Sequence, residues 1–451
     1  MVRSLVNRID KLNQFASSLI CAENHLLPEY VQSYYQELKI YNSQGISPQI
    51  ILAEKNPVRF LAGFLAANMA NCNIFLGNYD WGEREWEQVV NLVEPDIIWG
   101  IDNREIPQKR KEEYIQRNQI MIPTGGSSGK IKFAVHTWET LTASVQGFQE
   151  YFQTAQVNSV CTLPLYHVSG LMQFMRSFLT GGKLVILPGK NLELHSQDYQ
   201  FGNNFFISLV PTQLGRILQN LELTNWLSQF NTVLVGGAAT NEELLTKARE
   251  KKISIALTYG MTETASQIVT LKPEDFLAGN NSVGKVLPHA KVTIHPQTKT
   301  ISIQSQSLTL GYYPLNTHIS PSIWHTDDMG FWDERGYLHI IGRNSDKIIT
   351  GGENVYPVEI ESVIRDTGMV QDVCVVGIPN LEWGQVITAI YTVNHFSVSE
   401  DKIKSSIQNK LSRFKIPKYW LLVDEIPRNA QGKVNRGSLE SIAKELIERN
   451  N

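Results

Sequence analysis

Pro123-Thr-Gly-Gly-Ser-Ser-Gly-Lys-Ile-Lys-Phe133 is the stretch around which the chain is organised. Three glycines, three hydroxyl side chains and two lysines fall between apolar segments. Backbone amides, hydroxyls and ammonium groups there can converge on one polyanion, so the stretch reads as a phosphate-handling loop. It is not a Walker loop, because Thr124 stands where the first glycine is needed and Ile131 where Ser or Thr should follow the lysine. Gly125-Gly126-Ser127-Ser128-Gly129 does match the Gly-x-Ser-x-Gly elbow of serine hydrolases, which needs a strand before the serine and a helix after it. Gln119–Ile122 suits the strand. Lys130–Val135 is β-branched and alternating, which predicts a hairpin in place of the helix.

Outward from the loop, short apolar runs alternate with helical stretches. Before it come Ile50–Ala53, a helix begun by Pro57, Asn73–Leu76, a helix over Glu83–Val93 and Asp96–Trp99; after it come Val160–Leu163, Lys183–Leu187, Phe205–Val210, Thr232–Val235 and Ile253–Leu257. Strands alternating with helices predict a largely parallel, helix-covered sheet, and the pattern reads as one α/β architecture on both sides of the loop. Residues up to about Leu38 read as helical and carry no chemistry. Strict alternation from Lys291 to Gln304 around Pro296-Gln297-Thr298-Lys299 predicts a hairpin in a small β-rich subdomain. Beyond Gly342 a compact α+β unit follows, with helices at Pro357–Arg365 and Asp401–Leu411 among three strands. The expectation is a large N-terminal α/β domain over residues 1–342 and a small C-terminal domain over 343–451, hinged near 343–346.

A chain of 451 residues with a net charge of −3 can bury large cores and offers no general nucleic-acid surface. Cys21, Cys72, Cys161 and Cys374 are far apart, form no zinc spacing or disulfide framework, and suit a reducing cytoplasm. The apolar run Phe60–Leu76 is interrupted by asparagines and reads as a buried helix and strand, with no membrane span expected. Oligomeric state is left open, a homodimer being one option.

Four further segments complete an ordered set: Tyr259-Gly-Met-Thr-Glu263, His325-Thr-Asp-Asp-Met-Gly330, Gly342-Arg343 with Gly351-Gly-Glu-Asn354, and Pro427 through Gly432-Lys433 to Arg436. With the loop they resemble, in order and spacing, the motifs of the adenylate-forming acyl-CoA synthetases. Ala134–Thr137, Pro164–Gly170, Ser208–Leu214 and Gly236–Ala239 point within that family to a branch acting on an aromatic diacid. The resemblance implies ATP, Mg²⁺ and coenzyme A, and a mobile C-terminal domain. It places Thr124, Gly125, Gly126, Ser127, Ser128, Gly129, Lys130 and Lys132 on the β and γ phosphates, Glu263 on Mg²⁺ and Thr262 on the α-phosphate. Tyr259, Gly237 and Ala238 are implied beside adenine, Gly260 among the cofactor-binding residues, Asp328 and Arg343 on the ribose hydroxyls, Gly351-Gly352 beside the CoA thiol, and Lys433 on the α-phosphate and the acid. His167 reads either as a core histidine or as a gate to the acyl pocket, and His136 as structural. Arg176 is a candidate partner for a second carboxylate, set against an ordinary surface arginine.

Gly125, Ile131 and Asp327 depart from the family pattern without removing a needed group; Ser345 stands where many relatives carry an acidic hinge residue, and Asp346 can share that role. Three other functions compete. A serine hydrolase using Ser127 would need no ATP, a non-catalytic adenylate sensor would lack Glu263, Arg343 or Lys433, and a synthetase for a different acid would keep every motif.

Overall fold

The computed structural model describes residues 12–101, 117–125, 131–187, 204–240, 242–315, 322–393, 399–428 and 434–450. Gly126–Lys130 and Lys433 lie outside them. The helix Pro57–Met69 starts where Asn56 accepts hydrogen bonds from the Val58 and Arg59 amides, with proline in the first turn. It is apolar on nearly every side, from Val58 to Ala67, and is buried accordingly. Its sheet runs Ile97–Trp99, Gln49–Leu52, Asn73–Leu76, Ile120–Gly125, Ile131–His136, the first four parallel. The last two form the hairpin read from the sequence, with Thr124 opposite Lys132 and Gly125 opposite Ile131. A strand follows the serine-containing loop, so the hydrolase elbow lacks its helix.

The α/β architecture on the two sides of the loop is built from two separate sheets. Leu310–Tyr313 occupies the free edge of the hairpin: Val135 N–H donates to Gly311 O at 2.9 Å, Leu310 N–H to Val135 O at 2.8 Å, and Tyr313 N–H to Phe133 O at 2.9 Å. With that edge filled no further strand can be added. The helix Trp138–Phe152, capped by Thr137, carries the chain to a second sheet of eight strands. Its order is Leu19–Ile20, Leu184–Ile186, Asn158–Cys161, Phe205–Leu209, Thr232–Val235, Ile255–Met261, Ser266–Thr270, Lys285–Val286. The N-terminal segment is therefore not purely helical, since Leu19 and Ile20 pair with Leu184 and Val185.

The predicted hairpin joins Ala290–Ile294 to Thr300–Ser305 and continues antiparallel through Trp324–Trp332 and Leu338–Arg343. From Ile348 onward the chain builds a mixed sheet around Asp372–Asn380 and Gly384–Thr392, with the helix Pro357–Arg365 on it. Two apolar clusters lie wholly within this last region, one around Ile360, Ile364, Val375 and Trp420, the other around Ile390, Leu421 and Leu439. No helix among the described residues is long and apolar enough to cross a membrane. The four cysteines are unpaired.

Candidate active site

Asp328 and Arg343 face each other across antiparallel strands, a register that brings their side chains together. Arg343 Nε donates to Asp328 Oδ1 at 3.2 Å, and the Tyr259 hydroxyl donates to Asp328 Oδ2 at 2.9 Å. Each carboxylate oxygen thus accepts one bond and keeps lone pairs for a diol. Burial, then the Asp328 charge, raises the Tyr259 pKa well above the phenol range, so the hydroxyl stays a donor. Burial works against the Arg343 charge, but Asp328 and Asp346 outweigh it and hold its pKa above the ordinary value. Tyr259 sits on the strand Ile255–Met261, which pairs with Thr232–Val235; Gly237 and Ala238 are exposed just past the carboxyl end of that neighbour, the position ligands favour in open α/β sheets. At Gly260 the register slips, and a Cβ there would lie 2.1 Å from Ser266 O, so glycine is required.

The chain then makes one tight turn, Thr262–Thr264. Glu263 is buried, and its Oε1 accepts a hydrogen bond from the Tyr312 hydroxyl. Burial, followed by the Glu263 charge, pushes the Tyr312 phenol above its usual range. Lys132 Nζ lies over the Tyr312 ring, 5.4 Å from its centroid. The hairpin residues Thr124 and Lys132 are thereby linked to the Thr262–Glu263 turn through one tyrosine. His136, at the end of the same hairpin strand, is fully buried: Nε2 lies 2.8 Å from Thr262 O and Nδ1 3.0 Å from Thr140 Oγ1. Burial lowers its pKa to about 4, so the ring is neutral and the carbonyl partner requires the proton on Nε2.

Other predicted residues fall elsewhere. His167 precedes the helix Val168–Thr180, half-buried against Tyr166 at 4.4 Å between ring centroids, which removes the core-histidine reading. Arg176, on that helix, is 2% exposed, so the surface-arginine reading is also corrected. Its Nη2 donates to Gln267 Oε1 at 2.7 Å and Ser266 Oγ at 3.0 Å, and its guanidinium lies 4.3 Å from the Phe148 centroid. It has no acidic partner among the described residues, and burial lowers its pKa to about 9. Gly351 and Gly352, with φ of 58° and 83°, turn between Ile348–Thr350 and Glu353–Val355, in a different sheet from Asp328. Ser127, Ser128, Gly126, Gly129, Lys130 and Lys433 lie outside the described residues. Sequence reasoning missed Tyr312: nothing in Gly311-Tyr312-Tyr313 marks it, since its partner Glu263 is 49 residues away.

A profile of AMP-binding enzymes matches residues 99–313, and one of the AMP-binding enzyme C-terminal domain matches residues 359–433. The chain is 31% identical over 412 residues to the 2-succinylbenzoate–CoA ligase of Listeria monocytogenes, covering 86% of this chain and 88% of that one. The chain belongs to the AMP-binding enzyme family. The o-succinylbenzoate CoA synthetase of Bacillus subtilis, solved with the acyl-adenylate intermediate OSB-AMP, shares the fold at a TM-score of 0.82 with 24% identity, covering 96% of this chain and 97% of that chain. The same enzyme with ATP and magnesium ion superposes at 0.81 with 23% identity over 96% and 98% of the two chains.

In this member of the AMP-binding family the neighbouring residues Ser345 and Asp346 are held from opposite directions, one by the strand Trp324–Trp332 and the other by the last helix, Arg436–Asn450. Ser345 N–H donates to Asp327 Oδ2 at 3.1 Å, whereas the next residue, Asp346, pairs with Arg436 Nε at 3.2 Å. Arg436 also binds Glu361 at 2.7 Å and Arg365 binds it at 3.4 Å; burial works against the Glu361 charge, but these two guanidinium groups outweigh it and hold the carboxyl below its ordinary pKa. The residues present fit a magnesium ion delivered with nucleotide: no group of three or more ligating side chains occurs among the described residues, but one buried carboxylate, Glu263, stands beside the phosphate hairpin. Such an ion takes most of its oxygens from phosphates and water.

Proposed function

We propose that the chain is an ATP-dependent, AMP-forming acid–thiol ligase that activates 2-succinylbenzoate and transfers it to coenzyme A, the thioester step of menaquinone and phylloquinone biosynthesis in the cytoplasm. Arg176 is the observation that supports this acid. A cation 2% exposed with no acidic partner among the described residues is costly to keep unless a ligand supplies the anion. Around it Arg176 Nε, Gln267 Nε2 and both nitrogens of His289 are buried without hydrogen-bond partners among the described residues, a set rich in donors for a carboxylate. 2-Succinylbenzoate has one carboxylate to activate and a second on its ring to be held there.

In the first half-reaction a carboxylate oxygen of the acid attacks the α-phosphorus of ATP and pyrophosphate leaves. Thr124 to Lys132 would hold the β and γ phosphates, Thr262 the α-phosphate, Asp328 and Arg343 the ribose, and Tyr259 with Gly237-Ala238 the adenine. Glu263 would hold Mg²⁺, which when bound neutralises phosphate charge. Lys433 would stabilise the charge that develops at phosphorus. In the second half-reaction the CoA thiol attacks the mixed anhydride beside Gly351-Gly352 and AMP leaves, with His167 at the mouth of the acyl pocket. The boundary between residues 1–342 and 343–451 would act as the hinge.

Three measurements follow. In a pyrophosphate-release screen over carboxylic acids, 2-succinylbenzoate should be the preferred acid, with thioester appearing only when CoA is added; equal turnover of monocarboxylic acids would remove the substrate assignment. Arg176→Ala should raise KM for the diacid about tenfold to a hundredfold, the scale of a lost charge-assisted hydrogen bond, and an unchanged KM would refute the Arg176 role. Ser345→Pro fixes a torsion and deletes the N–H held by Asp327, so thioester formation should slow more than adenylation. Equal loss in both halves counts against a hinge at 345.

A further inference from the structure

The turn that carries Thr262 and Glu263 is held by its carbonyls. Thr262 O accepts from His136 Nε2 at 2.8 Å, and Glu263 O from Thr309 N–H at 2.8 Å. Thr264 O accepts from Ser307 Oγ at 3.0 Å, and Ala265 O from Ser144 Oγ at 2.7 Å. Four consecutive carbonyls are thus bound by donors from three segments: the hairpin strand, the helix Trp138–Phe152 and the 307–309 loop. Ala265 and Ser266 follow with φ of 50° and 99°, conformations that non-glycine residues keep only when their surroundings impose them. Binding each carbonyl fixes the peptide planes of the turn and hence the direction in which the Thr262 and Glu263 side chains leave it.

Of these donors, His136 alone belongs to the hairpin that flanks the phosphate loop. Its backbone is opposite Ile120 in that hairpin, and its ring is opposite Thr262 in the turn. We infer that His136 is a positioning residue for adenylation: its Nε2–H to Thr262 O bond sets the spacing between the phosphate-loop hairpin and the turn bearing Thr262 and Glu263, and so the fit to nucleotide phosphate. The inference rests on the ligase reading. The ring touches no substrate atom and transfers no proton. It acts through the Thr262 carbonyl, and Thr140 Oγ1 at 3.0 Å from Nδ1 holds the ring in the orientation that bond needs.

Amide isosteres isolate the bond. A glutamine at 136 places its side-chain NH2 near the position of Nε2, whereas an asparagine reaches only as far as Nδ1. His136→Asn should therefore lower kcat/KM for MgATP in adenylation by about tenfold to a hundredfold, the factor for roughly 1.5–3 kcal/mol. The Kd for MgATP measured by calorimetry should rise, and thioester formation from supplied acyl-adenylate and CoA should stay within about twofold of wild type. His136→Gln should restore most of the loss. If the Asn variant does not fold, Ser144→Ala, which releases the Ala265 carbonyl from the other side of the turn, should show the same division at smaller size. Both half-reactions falling together, with melting temperature, or Gln and Asn behaving alike, would overturn the positioning role. Failure of the wild type to release pyrophosphate with any acid would instead strike the ligase reading itself.

Discussion

Lys433→Ala is expected to lower acyl-adenylate formation by roughly 10²–10³-fold or more, the scale for losing one preorganised charge donor, while thioester synthesis from supplied acyl-adenylate and CoA continues. The two steps separate because only the first builds charge at phosphorus where the ammonium would act. Lys433 lies outside the described residues, but both flanks of its segment are anchored. Arg428 pairs with Asp372 at 2.6 Å on one side, and Arg436 with Glu361 at 2.7 Å on the other. Neither anchor uses the lysine, so the fold and the affinity for ATP should change little. Pyrophosphate release with the acid and thioester formation from the adenylate, measured on one preparation, decide the matter. Equal impairment of both would assign Lys433 to structure or to CoA, and an unimpaired variant would undo the reading of the C-terminal motif.

Glu263→Gln should reduce adenylation by about 10²-fold and shift the Mg²⁺ concentration needed for half-maximal rate upward. The substitution is close to isosteric, and the amide oxygen can still accept from the Tyr312 hydroxyl, so the turn should keep its shape. What is lost is the negative charge that would bind a cation arriving on phosphates. Melting temperature should move little, and added Mg²⁺ should recover part of the rate. A variant with the wild-type Mg²⁺ dependence would show that the ion is held by nucleotide and water alone.

The sequence made individual strands and motifs legible because local pattern decides them. Ile131–His136 alternates and pairs as a hairpin, Pro57 opens a helix, and Pro296–Lys299 turns a ribbon. It did not reveal where one sheet ends and the next begins, because that boundary is made by Leu310–Tyr313 docking on an edge strand far earlier in the chain. The same distance hid Tyr312 as the partner of Glu263. It also hid the role of His136, which as a lone histidine after an apolar strand gave no hint that its ring bonds a carbonyl 126 residues on. Arg176 was legible as a charge among Leu, Met and Phe. Its burial, and the Gln267 and His289 nitrogens around it that lack partners among the described residues, arise from packing between segments far apart in the chain, and no local pattern encodes them.

The cap on the hairpin edge also bears on how the protein is made. Thr309 Oγ1 binds Val135 O across 174 residues of chain, so on a ribosome the strand Ile131–His136 emerges long before the segment that will cover it. At the usual pace of synthesis the interval is about 9–35 s. Throughout it, the strand that completes the phosphate hairpin presents an open row of amides and carbonyls, with Phe133 and Val135 beside them. A nascent chain stalled before Leu310 would therefore be a partner for any other exposed strand, and the enzyme's yield in the cell should depend on chaperones that act during translation more than on those that rescue finished chains.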